Sequence, residues 1–286
     1  MRRIALLLFF AACLCPSLHA QDDPNGIACY SYRDKNDAYK KKLWDGYEVS
    51  LGPSRGPDEL EFKCTAAIYN SAGRVVFRTK GFNVVFDQDL TGEDFDGDGK
   101  PDVVFRTDTG GGNHCCWGYI IFSLSPKPHR LFEIAMEGRV DFEKDKDGKM
   151  VIWERVSVPG AFPTSMAQRP FAAKVSRVKD GKLVDVTPEF CGSKDERLER
   201  GYLKPEDLKK LATAREQGSG DIEEIISTLE SRAAQHVLCH EYDEALQDIN
   251  LWPPDIRDAV VETLTDAYKI DYPEFVIKLQ ENFKKK

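Results

Sequence analysis

Four aspartates within nine residues raise the first chemical question. Asp94-Phe95-Asp96-Gly97-Asp98-Gly99-Lys100-Pro101-Asp102 sets carboxylates at positions 1, 3, 5 and 9. Ca2+ is a hard cation that gathers six to eight oxygens at about 2.3–2.6 Å. Alternate spacing in a tight loop turns successive carboxylates toward one centre. Gly97 and Gly99 permit the sharp path, because glycine adopts positive φ without a steric penalty. Position 7 of such a loop contributes its backbone carbonyl, so the Lys100 side chain is immaterial there. Pro101 stiffens the exit and Asp102 closes the cage. The expected metal ligands are Asp94, Asp96, Asp98 and Asp102 through their side chains and Lys100 through its carbonyl, with Ca2+ as the ion. Magnesium suits the loop less well, since it keeps several of its waters.

The loop is not of the helix–loop–helix kind, which wants a bidentate Glu at position 12. Position 12 here is Phe105, inside the run Val103-Val104-Phe105, so the loop is expected to lead into a strand. Between residues 87 and 102 seven acids (Asp87, Asp89, Glu93 and the four aspartates) stand against the single cation Lys100. Such crowding raises carboxyl pKa values and costs stability, and a divalent ion removes the cost. The plain alternative is a solvated acidic turn.

Other chemistry is weaker. Gly110-Gly111-Gly112-Asn113-His114-Cys115-Cys116-Trp117 joins glycines, His and Cys. A nucleophilic Cys needs a free thiol within reach of a His, and exported thiols pair off, so this stretch reads as a disulfide-pinned linker. A phosphate-cradling loop would precede a helix, whereas a strand follows here. His236 and His240 stand four apart, as in zinc sites. Position 237 is Val where His-Glu-x-x-His has Glu, so they read as a helix-surface pair. Trp252-Pro253-Pro254 reads as a packed corner, and Val158–Pro163 as a loop whose residues name no ligand.

These residues need a scaffold. Short runs rich in β-branched and aromatic residues fill the middle of the chain: 61–70 with 74–79 as a hairpin through Ser71-Ala72-Gly73, then 82–86, 102–106, 117–124 and 130–136. Phe142 and 150–156 flank the turn Asp145–Lys149; 171–178 and 183–186 flank Lys179–Lys182. Strands broken by glycine turns suit antiparallel sheets rather than βαβ units. From Pro205 the apolar period becomes helical. Pro205 is placed as a helix start, Asp221 and Asp255 as caps, and Tyr272-Pro273 as the entry to the last helix. The fold class expected is α+β: an antiparallel β-rich region (21–190), partial propeller-like or sandwich-like, then a small helical region (191–286).

The start, Met1-Arg2-Arg3 followed by apolar Ile4–Leu14 and then Ala20 before Gln21, reads as a secretory signal peptide of the bacterial type cleaved after residue 20. Cys13 after Ala11-Ala12 raises a lipid-anchored alternative. No later segment is apolar enough to span a bilayer, which takes about 20 residues. Loss of Arg2 and Arg3 leaves 38 basic against 48 acidic residues, a net charge of −10. That balance argues against a nucleic-acid partner, which rewards clustered Lys and Arg. Six cysteines remain: 29, 64, 115, 116, 191 and 239. An even count in an exported chain implies disulfides, with the pairing open and Cys239 placed to tie the helical region to the rest.

Asp94–Leu124, with its DxDGDGxxD loop, apolar strand, glycine linker and second strand Gly118–Phe122, resembles one repeat of the FG-GAP/VCBS type. Such repeats build β-propeller blades, including the calcium-bearing blades of integrin α-subunits. The resemblance covers about 30 residues, and it implies the same four aspartates and the Lys100 carbonyl as ligands. A second acidic stretch, Glu143–Val151, keeps acids at positions 1, 3 and 5 but has Val151 at position 9. It reads as a hairpin turn first and an ion site second.

Two function classes follow. One is a calcium-binding module of the periplasm or extracellular space that engages a protein or glycan partner. The alternative is an exported hydrolase acting on cell-wall or extracellular polymer, although no acid can be paired with a base from the sequence, and no catalytic residue is assigned.

Overall fold

The structure, a computed structural model, describes residues 26–32, 38–54, 64–108, 117–136, 139–158, 169–193, 195–198, 221–252 and 254–283. The signal segment, Cys13, the glycine–cysteine stretch Gly110–Cys116, the loop beyond Val158 and the Pro205 helix start lie outside them. Among the described residues there are thirteen strands in three antiparallel sheets and four helices, the α+β arrangement expected.

The first sheet contains β2 (Tyr39–Lys42), β3 (Glu48–Pro53), β4 (Cys64–Tyr69) and β5 (Val75–Gly81), paired in chain order. The second contains β6 (Asn83–Asp87), β7 (Asp102–Asp108), β8 (Trp117–Ser123) and β9 (His129–Met136), with β1 (Gly26–Ala28) added beside β6. The third contains β10 (Val140–Lys144), β11 (Met150–Ser157), β12 (Phe171–Lys179) and β13 (Lys182–Asp185). Apart from β1, which pairs with the distant β6, each sheet is a meander whose neighbouring strands are consecutive in sequence.

Turn chemistry explains where strands reverse. Asn70 accepts the Ala72 and Arg74 N–H groups on its Oδ1 at 3.1 and 3.0 Å, closing the β4–β5 hairpin. Asp180 and Gly181, both with positive φ, make the two-residue β12–β13 turn, a geometry that matches strand twist.

Strand alternation sets the layers. Val103, Phe105, Ile120 and Phe122 of the middle sheet join Val49, Leu51, Ile68 and Phe77 of the first sheet in one core. Val104 and Ile121 face the other way and meet Met150, Ile152 and Val178 of the third sheet. The middle sheet is therefore covered on both faces, and its strands read as continuous apolar runs rather than alternating ones.

The helices are α1 (Asp221–Leu238), α2 (Tyr242–Asn250), α3 (Pro254–Tyr268) and α4 (Pro273–Phe283). Leu229, Ala233, Trp252, Leu264, Phe275 and others form their core, which also takes in Ala172 of the third sheet and Val158 just past β11. Pro254 occupies the first turn of α3, so Asp255 sits inside that turn rather than before it. Proline suits that place because it lacks the N–H that a first-turn residue would leave unpaired.

The helical region is bound to β12 by side chains four apart on α1. Ser231 accepts the Phe171 N–H at 3.1 Å. Gln235 accepts the Ala173 N–H at 2.8 Å and donates to the Ala173 carbonyl at 3.0 Å. These residues satisfy the stretch of β12 that β13 does not reach, which would otherwise be an open strand edge. Disulfides Cys29–Cys64 and Cys191–Cys239 complete the described framework. The second ties the segment after β13 to the end of α1, where Cys239 was expected to act.

Candidate metal centre

The acidic loop joins β6 to β7 and runs directly into a strand, as the Val103–Phe105 run implied. Backbone bonds hold its ends together: Gly92 N–H to the Asp102 carbonyl at 2.9 Å and Asp102 N–H to the Glu93 carbonyl at 2.8 Å. Thr91 adds its hydroxyl oxygen, which accepts the Val104 N–H at 3.0 Å. Inside this clamp the chain folds around Asp94. Its Oδ1 accepts the Gly97 N–H at 2.7 Å and its Oδ2 the Gly99 N–H at 2.9 Å. Both glycines have φ near +80°, a conformation that residues with a Cβ rarely take.

One carboxylate oxygen from each of Asp94, Asp96 and Asp102 lies within 4.8 Å of the others. Asp98, expected among them, instead turns its Oδ1 to the Lys100 N–H at 2.7 Å. Asp96 accepts the Asp98 N–H at 3.1 Å. Lys100 is exposed, in keeping with a role confined to its backbone.

Asp102 is the unusual member. It is fully buried. Its Oδ2 accepts the Phe95 N–H at 2.9 Å, while its Oδ1 is enclosed and has no hydrogen-bond partner. Ser123 stands opposite on β8, but its hydroxyl is committed to the Ser125 carbonyl at 3.1 Å. Burial pushes the Asp102 carboxyl up to about 7; the Phe95 amide pulls the other way, and Asp96 and Asp94 add to the rise. Burial likewise raises the Asp96 carboxyl; the Asp98 amide pulls the other way, and the Asp98 and Asp94 carboxylates add to the rise. A buried carboxylate with an unpaired oxygen beside two more carboxylates is costly. A hard divalent ion is the species whose charge and oxygen preference fit that donor set.

Lys100 is not the only cation serving the segment. Asp87 pairs with Arg106 at 3.2 Å, and Glu93 pairs with Lys144 of β10 at 2.6 Å. Sheet pairing and sheet stacking bring in cations from 19 and 51 residues away in the chain. The residual repulsion is thereby concentrated on the inner aspartates.

Sequence reasoning passed over Phe95. It is 3% exposed and meets Phe132 and Phe142 edge-on, with ring centroids 6.2 and 5.6 Å away. Those rings belong to β9 and β10, so the acidic loop is plugged into the core between the second and third sheets. The signal was an aromatic residue standing alone among loop acids.

The Asp145–Lys149 stretch is a hairpin turn between β10 and β11, its first reading. Asp145 Oδ1 accepts the Asp147 and Lys149 N–H groups, both at 2.9 Å. Its Oδ2 takes Arg177 at 2.7 Å, and Glu143 takes Arg197 at 2.7 Å.

The expected helix-surface pair of histidines is overturned. His236 is 8% exposed; its Nδ1 donates to Glu241 Oε2 at 2.7 Å, and its Nε2 lies 3.4 Å from Asp248 Oδ2. His240 lies past the helix end with φ +59°. Helix α1 stops at Leu238, so the i, i+4 geometry is not maintained, while α2 packs over His236. Cys239 is in a disulfide.

Two further acids sit on the third sheet, and sequence did not single them out. Burial raises the Glu154 carboxyl, and Glu154 accepts the Ser176 hydroxyl at 3.2 Å. Asp185 spends Oδ1 on Thr187 and Oδ2 on the Tyr272 hydroxyl at 2.7 Å. Comparisons with protein-family models, curated proteins and solved structures found no match to this chain.

Proposed function

We propose that this chain is an exported calcium-binding protein that works as a binding module outside the cytoplasm, with Ca2+ held by Asp94, Asp96, Asp98, Asp102 and the Lys100 carbonyl. The observation that carries the reading is Asp102: a fully buried carboxylate with one unpartnered oxygen, grouped with the carboxylates of Asp94 and Asp96. The bound ion would supply the charge that these oxygens lack. Asp98 completes the ligand set by exchanging its bond with an exposed amide for the metal. The ion's role is structural, since it locks the β6–β7 loop and with it the Phe95 plug.

Three successive four-stranded meanders, the middle one extended by β1, pack face to face and support a blade-like reading of the FG-GAP/VCBS resemblance. The two disulfides suit an oxidising compartment. Among the described residues no helix is long and apolar enough to cross a membrane. The hydrolase reading gains nothing from Glu154 and Asp185, because Asp185 has both oxygens engaged in bracing β13 against Thr187 and Tyr272.

Calorimetry and thermal melting with calcium and with chelator test the proposal. Calcium uptake should release or absorb measurable heat and raise the melting temperature, and Asp96→Ala and Asp98→Ala should each abolish that rise. Absence of any calcium heat at millimolar concentration would falsify the reading. A full rise retained in Asp98→Ala would remove Asp98 from the ligand set.

A further inference from the structure

Strand β10 has different neighbours on its two sides. Alternation points Phe142 and Lys144 one way and Glu143 the other. On the inner side Phe142 meets Phe95 of the acidic loop edge-on at 5.6 Å and Tyr119 of β8 at 4.8 Å. Lys144 pairs there with Glu93 at 2.6 Å. On the outer side Glu143 pairs with Arg197 at 2.7 Å. Arg197 belongs to the segment after β13, residues 186–193 and 195–198, which packs on the outer face of the third sheet.

That segment is a cover. Val151, Trp153 and Val175 form an apolar patch on the sheet, and Val186, Phe190 and Leu198 pack on it. The Arg197 guanidinium lies 3.7 Å from the centre of the Trp153 ring, and Phe190 meets the same ring at 5.4 Å, nearly perpendicular. Trp153 is left 3% exposed. The Cys191–Cys239 bridge pins the middle of the cover. Its far end is held at Arg197 by the Glu143 carboxylate and the indole face, with Asp195 alongside at 2.6 Å. Cation–π stacking and partly exposed ion pairs are modest forces, so this end is the releasable part.

Strand β10 is a five-residue edge strand, bonded to β11 on one side. Its position therefore depends on what its inner side chains rest against. Two of those supports, Glu93 and Phe95, flank Asp94. Without an ion, Asp94, Asp96 and Asp102 crowd carboxylate oxygens within 4.8 Å of one another, and their repulsion acts to spread the loop.

We propose that calcium in the β6–β7 loop controls the seal over Trp153, with β10 as the link. The inference rests on the calcium reading and gives that site a regulatory consequence on the far side of the third sheet. Occupancy fixes Glu93 and Phe95, which hold Lys144 and Phe142. Strand β10 then presents Glu143 to Arg197, and the cover closes. Without the ion β10 loosens, Arg197 loses its partner on the sheet, and the indole face is uncovered. Such coupling is reciprocal, so breaking the link at Glu143 also weakens calcium binding.

The test uses the whole chain carrying 5-fluorotryptophan, read by fluorine NMR with a soluble neutral nitroxide. The chain has four tryptophans, and Trp153 is assigned as the resonance lost in Trp153→Phe. Nitroxide relaxation at Trp153 should be roughly threefold faster in chelator than in saturating calcium, as local opening requires. Trp252, 2% exposed in the helical core, should relax equally in both. Glu143→Gln should show the fast rate at Trp153 in both conditions, with calcium uptake by calorimetry still measurable but about fivefold weaker. Asp141→Asn makes the same charge change on the same side of β10, but Asp141 pairs with Arg139 rather than with the cover. That control should behave as the wild type does. Equal protection of Trp153 with and without calcium, while calcium heat is present, overturns the proposal and makes the cover a fixed seal. A matching change at Trp252 also overturns it, because loosening of the whole molecule then accounts for the effect. So does a Glu143→Gln variant that keeps the wild-type response. Absence of calcium heat removes the calcium reading and this inference with it, so calorimetry tells the two failures apart.

Discussion

The backbone N–H of Phe95 donates to Oδ2 of Asp102, seven residues later, at 2.9 Å. This bond joins the two unlike halves of the loop. Phe95 anchors it in an apolar core, and Asp102 presents its remaining oxygen, buried and unpartnered, toward a site of high negative charge.

Phe95→Ala should therefore affect both stability and ion binding. Large-to-small changes at buried aromatics cost about 3–5 kcal/mol. Urea unfolding in calcium should show a loss of that order, and calorimetry should show weaker calcium uptake, although no ligand has been altered. A variant that loses stability but keeps full calcium affinity would show that the plug does not hold the loop in register.

The pH dependence has a definite sign. In the ion-free protein the Asp102 carboxyl titrates near 7, against an ordinary value of 3.8. The folded state then holds a proton that the unfolded chain has released. Stability in chelator should fall as pH rises from about 4 toward 7 and level off above it. Calcium should oppose that fall, so its effect on the melting temperature should be larger at pH 8 than at pH 5. Asp102→Asn should flatten the chelator curve; an unchanged slope in that variant would assign the titration elsewhere.

Gln235 substitutes for a missing strand by bonding both backbone groups of Ala173. Gln235→Leu fills similar space but leaves the N–H and carbonyl without that partner. The expected cost is roughly 1–3 kcal/mol for each group left unsatisfied. Hydrogen exchange at Ala173 should quicken with it. Wild-type protection at that amide in the variant would mean that another group covers the β12 edge.

The Cys191–Cys239 bridge closes a separation of 48 residues. Chain entropy alone assigns such a crosslink about 4 kcal/mol. Cys191→Ala/Cys239→Ala should lower stability by an amount of that order under non-reducing conditions. Retention of wild-type stability would show that Ser231 and Gln235 suffice to dock the helices.

Much of the fold was legible in the chain. The hairpins at Asn70–Arg74, Asp145–Lys149 and Asp180–Gly181 could be read because short polar side chains and glycines set turns locally. The buried face of α4, through Phe275, Val276 and Leu279, followed from its helical period. The histidine pair misled because a helix end is decided by what packs beyond it, and α2 both terminates α1 and covers His236. The cations that serve Asp87 and Glu93 were hidden for a related reason: sequence neighbours do not reveal which strand will lie alongside or on top.

The residues alone determined the acidic loop, its glycine-dependent path, the order of strands before helices and the presence of disulfides, because each rests on composition, spacing or local backbone preference. Tertiary structure alone decided that Asp102 is sealed from water, that Phe95 is a plug, and which cysteines pair in the two described bridges. Those facts depend on which distant segments are brought together, and desolvation and charge density arise only after that packing has occurred.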